Sequence, residues 1–255
     1  MKAVSLQSGS NGNCIYVETD DVRILLDAGI SGIKAENRLK TIGRDIRDID
    51  CVVISHDHSD HTRCAGIFSR KYDLNVWMTP TTYSTVDSRG FCGLFRNLSH
   101  FNAGESVRFG KTVIETFPTP HDGVDGVAFV VDDSRNRLGV LTDLGHVFDG
   151  LQELIMGLDG VFLESNYDVS MLENGPYPAF LKKRITGDGG HISNIEAAGL
   201  LLPAFSQKLK WASLAHLSEQ NNDPQTAIDT HRDVLGNNVE LSVASRYRVS
   251  SLLSL

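Results

Sequence analysis

Ser55-His56-Asp57-His58-Ser59-Asp60-His61 follows directly on the apolar run Cys51-Val52-Val53-Ile54. Three histidines and Asp60 crowded together at the end of a strand cannot all be buried in a core. Neutral imidazoles carry lone pairs suited to Zn²⁺, Mn²⁺ or iron, and a carboxylate adds the negative charge that retains a dication. In an extended loop His56 and His58 point the same way, because side chains alternate with a period of two. Asp60 and His61, at a turn into a helix, are placed to face a second ion nearby. The rival reading, a solvated His/Asp loop without metal, does not account for the HxHxDH spacing.

Two ions need more donors than one loop offers, and later strand ends supply them. His121 follows Phe117-Pro118-Thr119-Pro120, whose prolines hold the chain extended. Asp143 ends Gly139-Val140-Leu141-Thr142, and His216 ends Trp211-Ala212-Ser213-Leu214-Ala215. Singly, each has an ordinary alternative as a surface or core residue; beside the HxHxDH loop the three read together as ligands. His191 lies between a glycine-rich stretch (Gly187, Gly189, Gly190) and the capping-box sequence Ser193-Asn194-Ile195-Glu196. A loop beside backbone N–H groups at a helix start is a place to receive a phosphate. Packing on the helix start is the alternative for His191. His100 and His231 read as ordinary surface or core histidines.

Around these residues the chain reads as 255 residues in one domain, 1–255, with no repeat, low-complexity tract or linker. Strands are expected at Val4 to Gln7, Cys14 to Glu18, Val22 to Asp27 and Cys51 to Ile54, and again around Val76, Val107, Val113 to Phe117, Val127 to Val131, Leu138 to Leu141 and Val161 to Leu163. The turn Ser8-Gly9-Ser10-Asn11-Gly12-Asn13 joins the first two. A helix is expected between Ser31 and Ile42, with Ile33, Ala35, Leu39 and Ile42 as its apolar stripe. In the last third, a helix starts after His191 and is kinked or ended by Pro203. Trp211 to Leu214 is a strand, and Asp223-Pro224 caps a helix that Gly236 stops. The pattern is α/β, two sheets with helices outside. No apolar run approaches the ~20 residues that span a bilayer, and no signal peptide is legible. Cys14, Cys51, Cys64 and Cys92 form no CxxC pair and read as reduced thiols of a cytoplasmic protein. A net charge of −8 confines any nucleic-acid contact to a local surface. Lys182-Lys183-Arg184, Arg63 and Arg246-Tyr247-Arg248 are the candidates, each otherwise a solvated charge cluster. Tyr177 and Phe180 are able to stack on bases, but core packing is the expected fate of both.

The whole chain resembles the metallo-β-lactamase superfamily, with Leu25-Leu26-Asp27-Ala28-Gly29 as its first motif. That resemblance implies an αββα sandwich of two mixed sheets with helices on the outer faces. It also implies two divalent ions, Zn²⁺ or Mn²⁺: His56, His58 and His121 on one, Asp60, His61 and His216 on the other, Asp143 bridging, and Asp27 orienting a loop histidine from behind. Ser8-Gly9-Ser10-Asn11-Gly12-Asn13-Cys14, Thr142-Asp143-Leu144-Gly145-His146, Leu163-Glu164-Ser165-Asn166-Tyr167-Asp168, Gly175-Pro176-Tyr177-Pro178, Gly190-His191-Ile192-Ser193-Asn194 and Ala215-His216-Leu217-Ser218 together resemble the YycJ/WalJ type, bacterial proteins regarded as 5′→3′ DNA exonucleases. In related nucleases a histidine at the position of His191 protonates the leaving oxygen. Glu164 is placed to orient it, so His191, Glu164 and Asp60 are the expected catalytic groups. His146 is expected to support the ligands or touch substrate.

The resulting expectation is a phosphodiesterase acting on DNA, with RNA as an alternative and DNA repair as the setting, in which a hydroxide shared by the ions attacks phosphorus. One rival keeps the metals and changes the substrate to a cyclic phosphodiester, thioester or lactone, since fold does not fix function. The other is a metal-binding regulatory protein without turnover.

Overall fold

The computed structural model describes residues 1–255. The first sheet contains β1 (Lys2–Gln7), β2 (Cys14–Glu18), β3 (Arg23–Leu26), β4 (Cys51–Val53), β5 (Asn75–Met78) and β6 (Leu98–His100), closed at its other edge by β14 (Leu253–Ser254). Its order is β14-β1-β2-β3-β4-β5-β6. The second sheet contains β7 (Ser106–Phe109), β8 (Thr112–Pro118), β9 (Val127–Asp132), β10 (Arg137–Leu141), β11 (Gly160–Glu164), β12 (Trp211–Ala215) and β13 (Glu240–Val243). These lie in the order β13-β12-β11-β10-β9-β8-β7. Both sheets are mixed. In the first, pairing is antiparallel as far as β3 and parallel from β3 to β6. In the second, it is antiparallel from β7 to β10 and parallel from β10 to β13.

Alternation along the strands builds the layers. Ile15, Val17, Ile24, Leu26 and Val53 of the first sheet meet Ile114, Phe129, Val131, Val140 and Phe162 of the second in a shared core. The intervening residues Tyr16, Leu25 and Val52 face outward onto α1 (Gly32–Thr41) and α3 (Ala65–Tyr72), through Ala35, Leu39 and Phe68. Val130, Leu141, Val161 and Leu163 face α5 (Leu151–Met156), α8 (Asn194–Phe205) and α9 (Pro224–Leu235). Strands apolar on both sides need helices on both outer faces, and the expected αββα sandwich is the result. No helix is long and apolar enough to cross a membrane.

Local sequence sets the element ends. Ser31 caps α1 by accepting from the Lys34 N–H. Of the expected stripe, Ala35 and Leu39 are buried, but Ile33 is 63% exposed. Gly32 instead packs against α3, where a Cβ would lie 2.6 Å from the Tyr72 ring. The expected capping box of Ser193 and Glu196 is present, and α8 runs two residues past Pro203. Asp223 caps α9, and Gly236, at φ 78°, ends it. The strand expected to reach Asp27 stops at Leu26, because Asp27 adopts φ 68°. β6, β13 and β14 are additional short strands. All four cysteines are buried and free.

His231 on α9 is fully buried. Its Nδ1–H donates to the Ala227 carbonyl at 2.8 Å, and Nε2 has no partner. Burial lowers its pKa from 6.5 to about 4. The unfolded chain therefore binds a proton between these values that the folded chain refuses, so stability falls as pH drops through this window. The contribution amounts to about 3 kcal/mol. Urea unfolding from pH 7 to 4 is expected to show His231→Leu losing stability less steeply than the parent. Parallel pH curves would refute the assignment.

Candidate metal centre

The two sheets present their strand ends at one edge of the sandwich, and every chemistry-bearing residue of the sequence motifs except His146 collects there. Asp27 follows β3, the HxHxDH loop follows β4, His121 comes three residues after β8, Asp143 and His216 leave β10 and β12, and Glu164 ends β11. Asp27, Asp143 and His216 all have left-handed backbones, φ 68°, 57° and 56°. A chain that turns this way just past a strand end redirects that side chain, at a local cost of about 1–3 kcal/mol. Such strain clusters where chemistry requires the placement.

Donor atoms within 4.8 Å of one another form overlapping groups: His56, His58 and His121; Asp60, His61 and His216; His56, His61 and Asp143; and Asp143, Glu164, His191 and His216. Three imidazoles are held from behind through Nδ1. His56 meets Ser55 Oγ at 2.9 Å, His61 meets Asp27 Oδ2 at 2.7 Å, and His121 donates to the Gly190 carbonyl at 2.8 Å. Fixing Nδ1 in this way leaves Nε2 as the donor atom available to an ion. Asp27 also accepts from the Ser55 N–H at 2.8 Å, so it holds both the loop backbone and His61.

Charge is unevenly shared. Burial would push the Asp60 and Asp143 carboxyls up, yet His61 and His216 hold both below the usual range. Against the same burial, Asp27, Asp143 and Asp60 keep the His61 imidazole well above 6.5, and Asp143 with Asp60 and Glu164 takes His216 up to about 10. Burial and the neighbouring His61 push His56 far down, leaving it neutral with its lone pair intact. Its Nε2 is buried without a hydrogen-bond partner. Asp143 Oδ2 is likewise orphaned, 3.2 Å from His61 Nε2 but without hydrogen-bond geometry. Orphaned buried donors and several carboxylates at one point are costly unless a cation meets them, so the residues present fit bound metal.

His191 lines the cleft beyond these groups. Its Nδ1 meets Glu164 Oε1 at 2.5 Å and lies 3.9 Å from Asp143. Glu164 is fully buried, and its other oxygen accepts from the Leu144 N–H at 2.9 Å. Burial pushes the Glu164 carboxyl up, but His191 beside it outweighs burial and holds it below the ordinary range, at about 2. His146 joins none of the donor groups; its Nδ1–H donates to the Asp188 carbonyl at 2.7 Å, steadying the loop that leads to His191. Of the basic candidates only Arg184 lines the cleft. Arg63 donates to the Gly29 carbonyl at 2.6 Å and Arg246 to the Leu217 carbonyl at 2.9 Å, so both brace loops. Tyr177 packs beside Tyr167 and Leu172, whereas Phe180 is 76% exposed instead of buried.

Several residues of the site carried no signal in the sequence. Asn13 reaches Asp60 Oδ2 at 3.2 Å and His61 Nε2 at 2.9 Å from the Gly/Ser turn. Asp57 accepts from the Val124 N–H and pairs with Arg89, both at 2.6 Å. Asp122 lies 3.5 Å from His58 Nε2 and is forked by Arg184. The Gly/Ser turn was legible as a turn and as part of a motif, but nothing in it singled out Asn13. Gly29 makes the close approach possible: a Cβ there would meet the Asp60 carbonyl oxygen at 1.6 Å. Gly29→Ala is therefore expected to displace the metal loop, destabilise the fold by about 3 kcal/mol or more, and lower metal content. Thermal unfolding with elemental analysis checks this; a variant with parental metal content would show that the loop yields freely.

Residues 22–204 match the family model of the beta-lactamase superfamily domain. The exodeoxyribonuclease YycJ of Bacillus anthracis is 35% identical over 227 residues, 87% of this chain and 84% of that protein. The exodeoxyribonuclease WalJ of Streptococcus pneumoniae serotype 2 is 36% identical over 87% of this chain and 83% of its own length. Among solved structures, the metallo-beta-lactamase fold protein YhfI from Bacillus subtilis superposes with a TM-score of 0.74 at 15% identity, covering 98% of this chain and 99% of that one. The chain therefore belongs to the metallo-β-lactamase superfamily, in the family of YycJ and WalJ.

Proposed function

We propose that this protein is a metal-dependent DNA exonuclease of 5′→3′ polarity, acting in the cytoplasm, with residues 1–255 forming one domain. The observation that carries the reading is the His191–Glu164 pair beside a His/Asp cluster able to hold metal. The names of the relatives support DNA as substrate.

His56, His58 and His121 would hold one divalent ion, Asp60, His61 and His216 a second, and Asp143 both. Zinc or manganese there would supply Lewis acidity and a water nucleophile active near neutral pH. The remaining work falls to the chain. Asp27 and Ser55 fix the loop histidines, and the Gly190 carbonyl fixes His121. His191 offers Nε2–H to the leaving oxygen while Glu164 holds Nδ1. A deoxyribose alkoxide is a poor leaving group, so that proton counts; a thioester hydrolase, which expels a thiolate, has less need of it.

Metal-reconstituted protein incubated with 5′- or 3′-end-labelled DNA is expected to release mononucleotides successively from the 5′ end. Parallel RNA, cyclic nucleotide and thioester substrates test the rivals. Hydrolysis of a thioester with intact DNA would overturn the nuclease reading.

A further inference from the structure

We propose that Arg184 is the phosphate clamp of the cleft: Asp122 holds one edge of its guanidinium, and the other edge grips a non-bridging oxygen of the DNA phosphate beside the metal ligands. This rests on the nuclease reading above. Arg184 stands on the wall of a cavity of about 400 Å³ that His58, His121, Asp143 and His191 also line. Its side chain is 53% exposed, and Asp122 is its one hydrogen-bond partner.

The contact between the two is a side-on fork. Nε donates to Asp122 Oδ2 at 2.7 Å and Nη2 to Oδ1 at 3.0 Å. A guanidinium carries five N–H donors, so three are left, both on Nη1 and one on Nη2. Arg246 shows what a plain brace looks like: its side chain is 10% exposed, and Leu217 and Glu219 engage its two Nη atoms. Arg184 instead keeps its Nη1–Nη2 edge free in an open cleft. Two parallel N–H groups of a cation suit a phosphate, whose oxygens accept such pairs with charge assistance.

The backbone ties this guanidinium to both halves of the chemistry. Arg184 lies in the last turn of α7 (Ala179–Ile185). The Ile185 carbonyl accepts from the His191 N–H at 2.9 Å, and a Cβ on Gly190 would lie 2.4 Å from the Arg184 carbonyl oxygen. The helix end and the His191 loop are therefore in contact. On the metal side, the Asp122 N–H donates to the Gly189 carbonyl at 3.0 Å, and Asp122 Oδ1 lies 3.4 Å from His121 Nε2 and 3.5 Å from His58 Nε2. One carboxylate thus links Arg184 to two histidines proposed for the first ion, and its own helix links it to His191. A phosphate seated between those histidines and His191 has an oxygen to spare for Arg184. Already held on a carboxylate, the guanidinium meets that oxygen with little further ordering.

The test uses the metal-loaded full chain and duplex DNA. Arg184→Gln is expected to raise KM roughly 10- to 150-fold, the range of a lost hydrogen bond to a charged group, with metal content parental and kcat changed much less. Arg184→Lys should recover only part of KM, because an ammonium cannot grip Asp122 and a phosphate in one plane. Anisotropy of a labelled duplex on metal-loaded His191→Ala protein, with and without Arg184→Gln, reads the contact directly. The slope of log affinity against log salt should shrink by about 0.9, the value of one phosphate contact. A residue that merely braced Asp122 would cost metal and leave that slope alone. Unchanged KM and slope, KM lost together with metal at an intact slope, or full restoration by lysine would each overturn the clamp while the nuclease reading stands. No cleavage of any DNA by the parent would remove both.

Discussion

Alanine in place of His191 is expected to lower DNA turnover by about 10²–10⁴-fold while metal content and KM stay near the parental values. The expectation comes from position. His191 joins the donor group formed by Asp143, Glu164 and His216, yet its Nδ1 is taken by Glu164 at 2.5 Å, which leaves Nε2 for the cleft. Glu164 is buried and already engaged by the Leu144 N–H, so it cannot easily turn to another partner. Glu164→Gln should reduce turnover less than His191→Ala, since an amide still accepts from Nδ1–H without favouring the imidazolium. A second substrate separates proton donation from simple disturbance. On a phosphodiester whose leaving group is p-nitrophenolate, departure needs little protonation, and the loss in His191→Ala should shrink towards unity. An equal loss on both substrates, or loss of metal, would assign His191 to binding instead.

The gathering of these side chains was legible in the sequence because metal-binding residue types stand at the ends of apolar runs. His56, His58, Asp60, His61, His121, Asp143 and His216 each follow an apolar run, and parallel strands in a sandwich bring such ends to one edge. The layers were legible for the same reason: runs such as Leu138–Leu141 and Val161–Leu163 are apolar at consecutive positions and need cover on both faces. What could not be read depends on approach through space. Asp57 looks like one more ligand of the loop, but it faces Arg89 and the Val124 N–H. Asp122 beside His121 has no spacing signal, and its role depends on Arg184 arriving from the helix Ala179–Ile185. Ile33 fits a helical stripe on paper, while Gly32 packs against Tyr72 of α3 instead. β14 has two residues and exists because Lys2 and Ala3 offer an unpaired edge some 250 residues earlier in the chain. His146 shares a motif with Asp143 yet points away, because Gly145 at φ 75° reverses the chain between them.

Asparagine in place of Asp143 isolates the charge at the centre of the cluster. Asp143 is 3% exposed and stands 3.2 Å from His61, 3.5 Å from His216 and 3.6 Å from His121. Its backbone at φ 57° is one that Asn also adopts readily, and the two side chains have the same shape. The substitution therefore changes neither the turn nor the volume, only the carboxylate that both proposed ions share. Two dications a few ångströms apart repel, and an amide oxygen without formal charge cannot offset that repulsion. Asp143→Asn is expected to bind at most one ion per chain, with turnover reduced by more than the ~100-fold seen when a residue merely supports a ligand from behind. Stability reports the same loss independently of activity. Free metal at 1,000 times Kd stabilises the parent by about 4 kcal/mol, which for a chain of this size is roughly 10 °C in Tm. A hundredfold weaker site would forfeit about 2.7 kcal/mol of that, whereas the chelated forms of parent and variant should melt much closer together. Two tightly held ions and parental turnover in Asp143→Asn would show that the ions do not share this carboxylate, and the ligand assignment would have to be redrawn around Asp60 and Glu164.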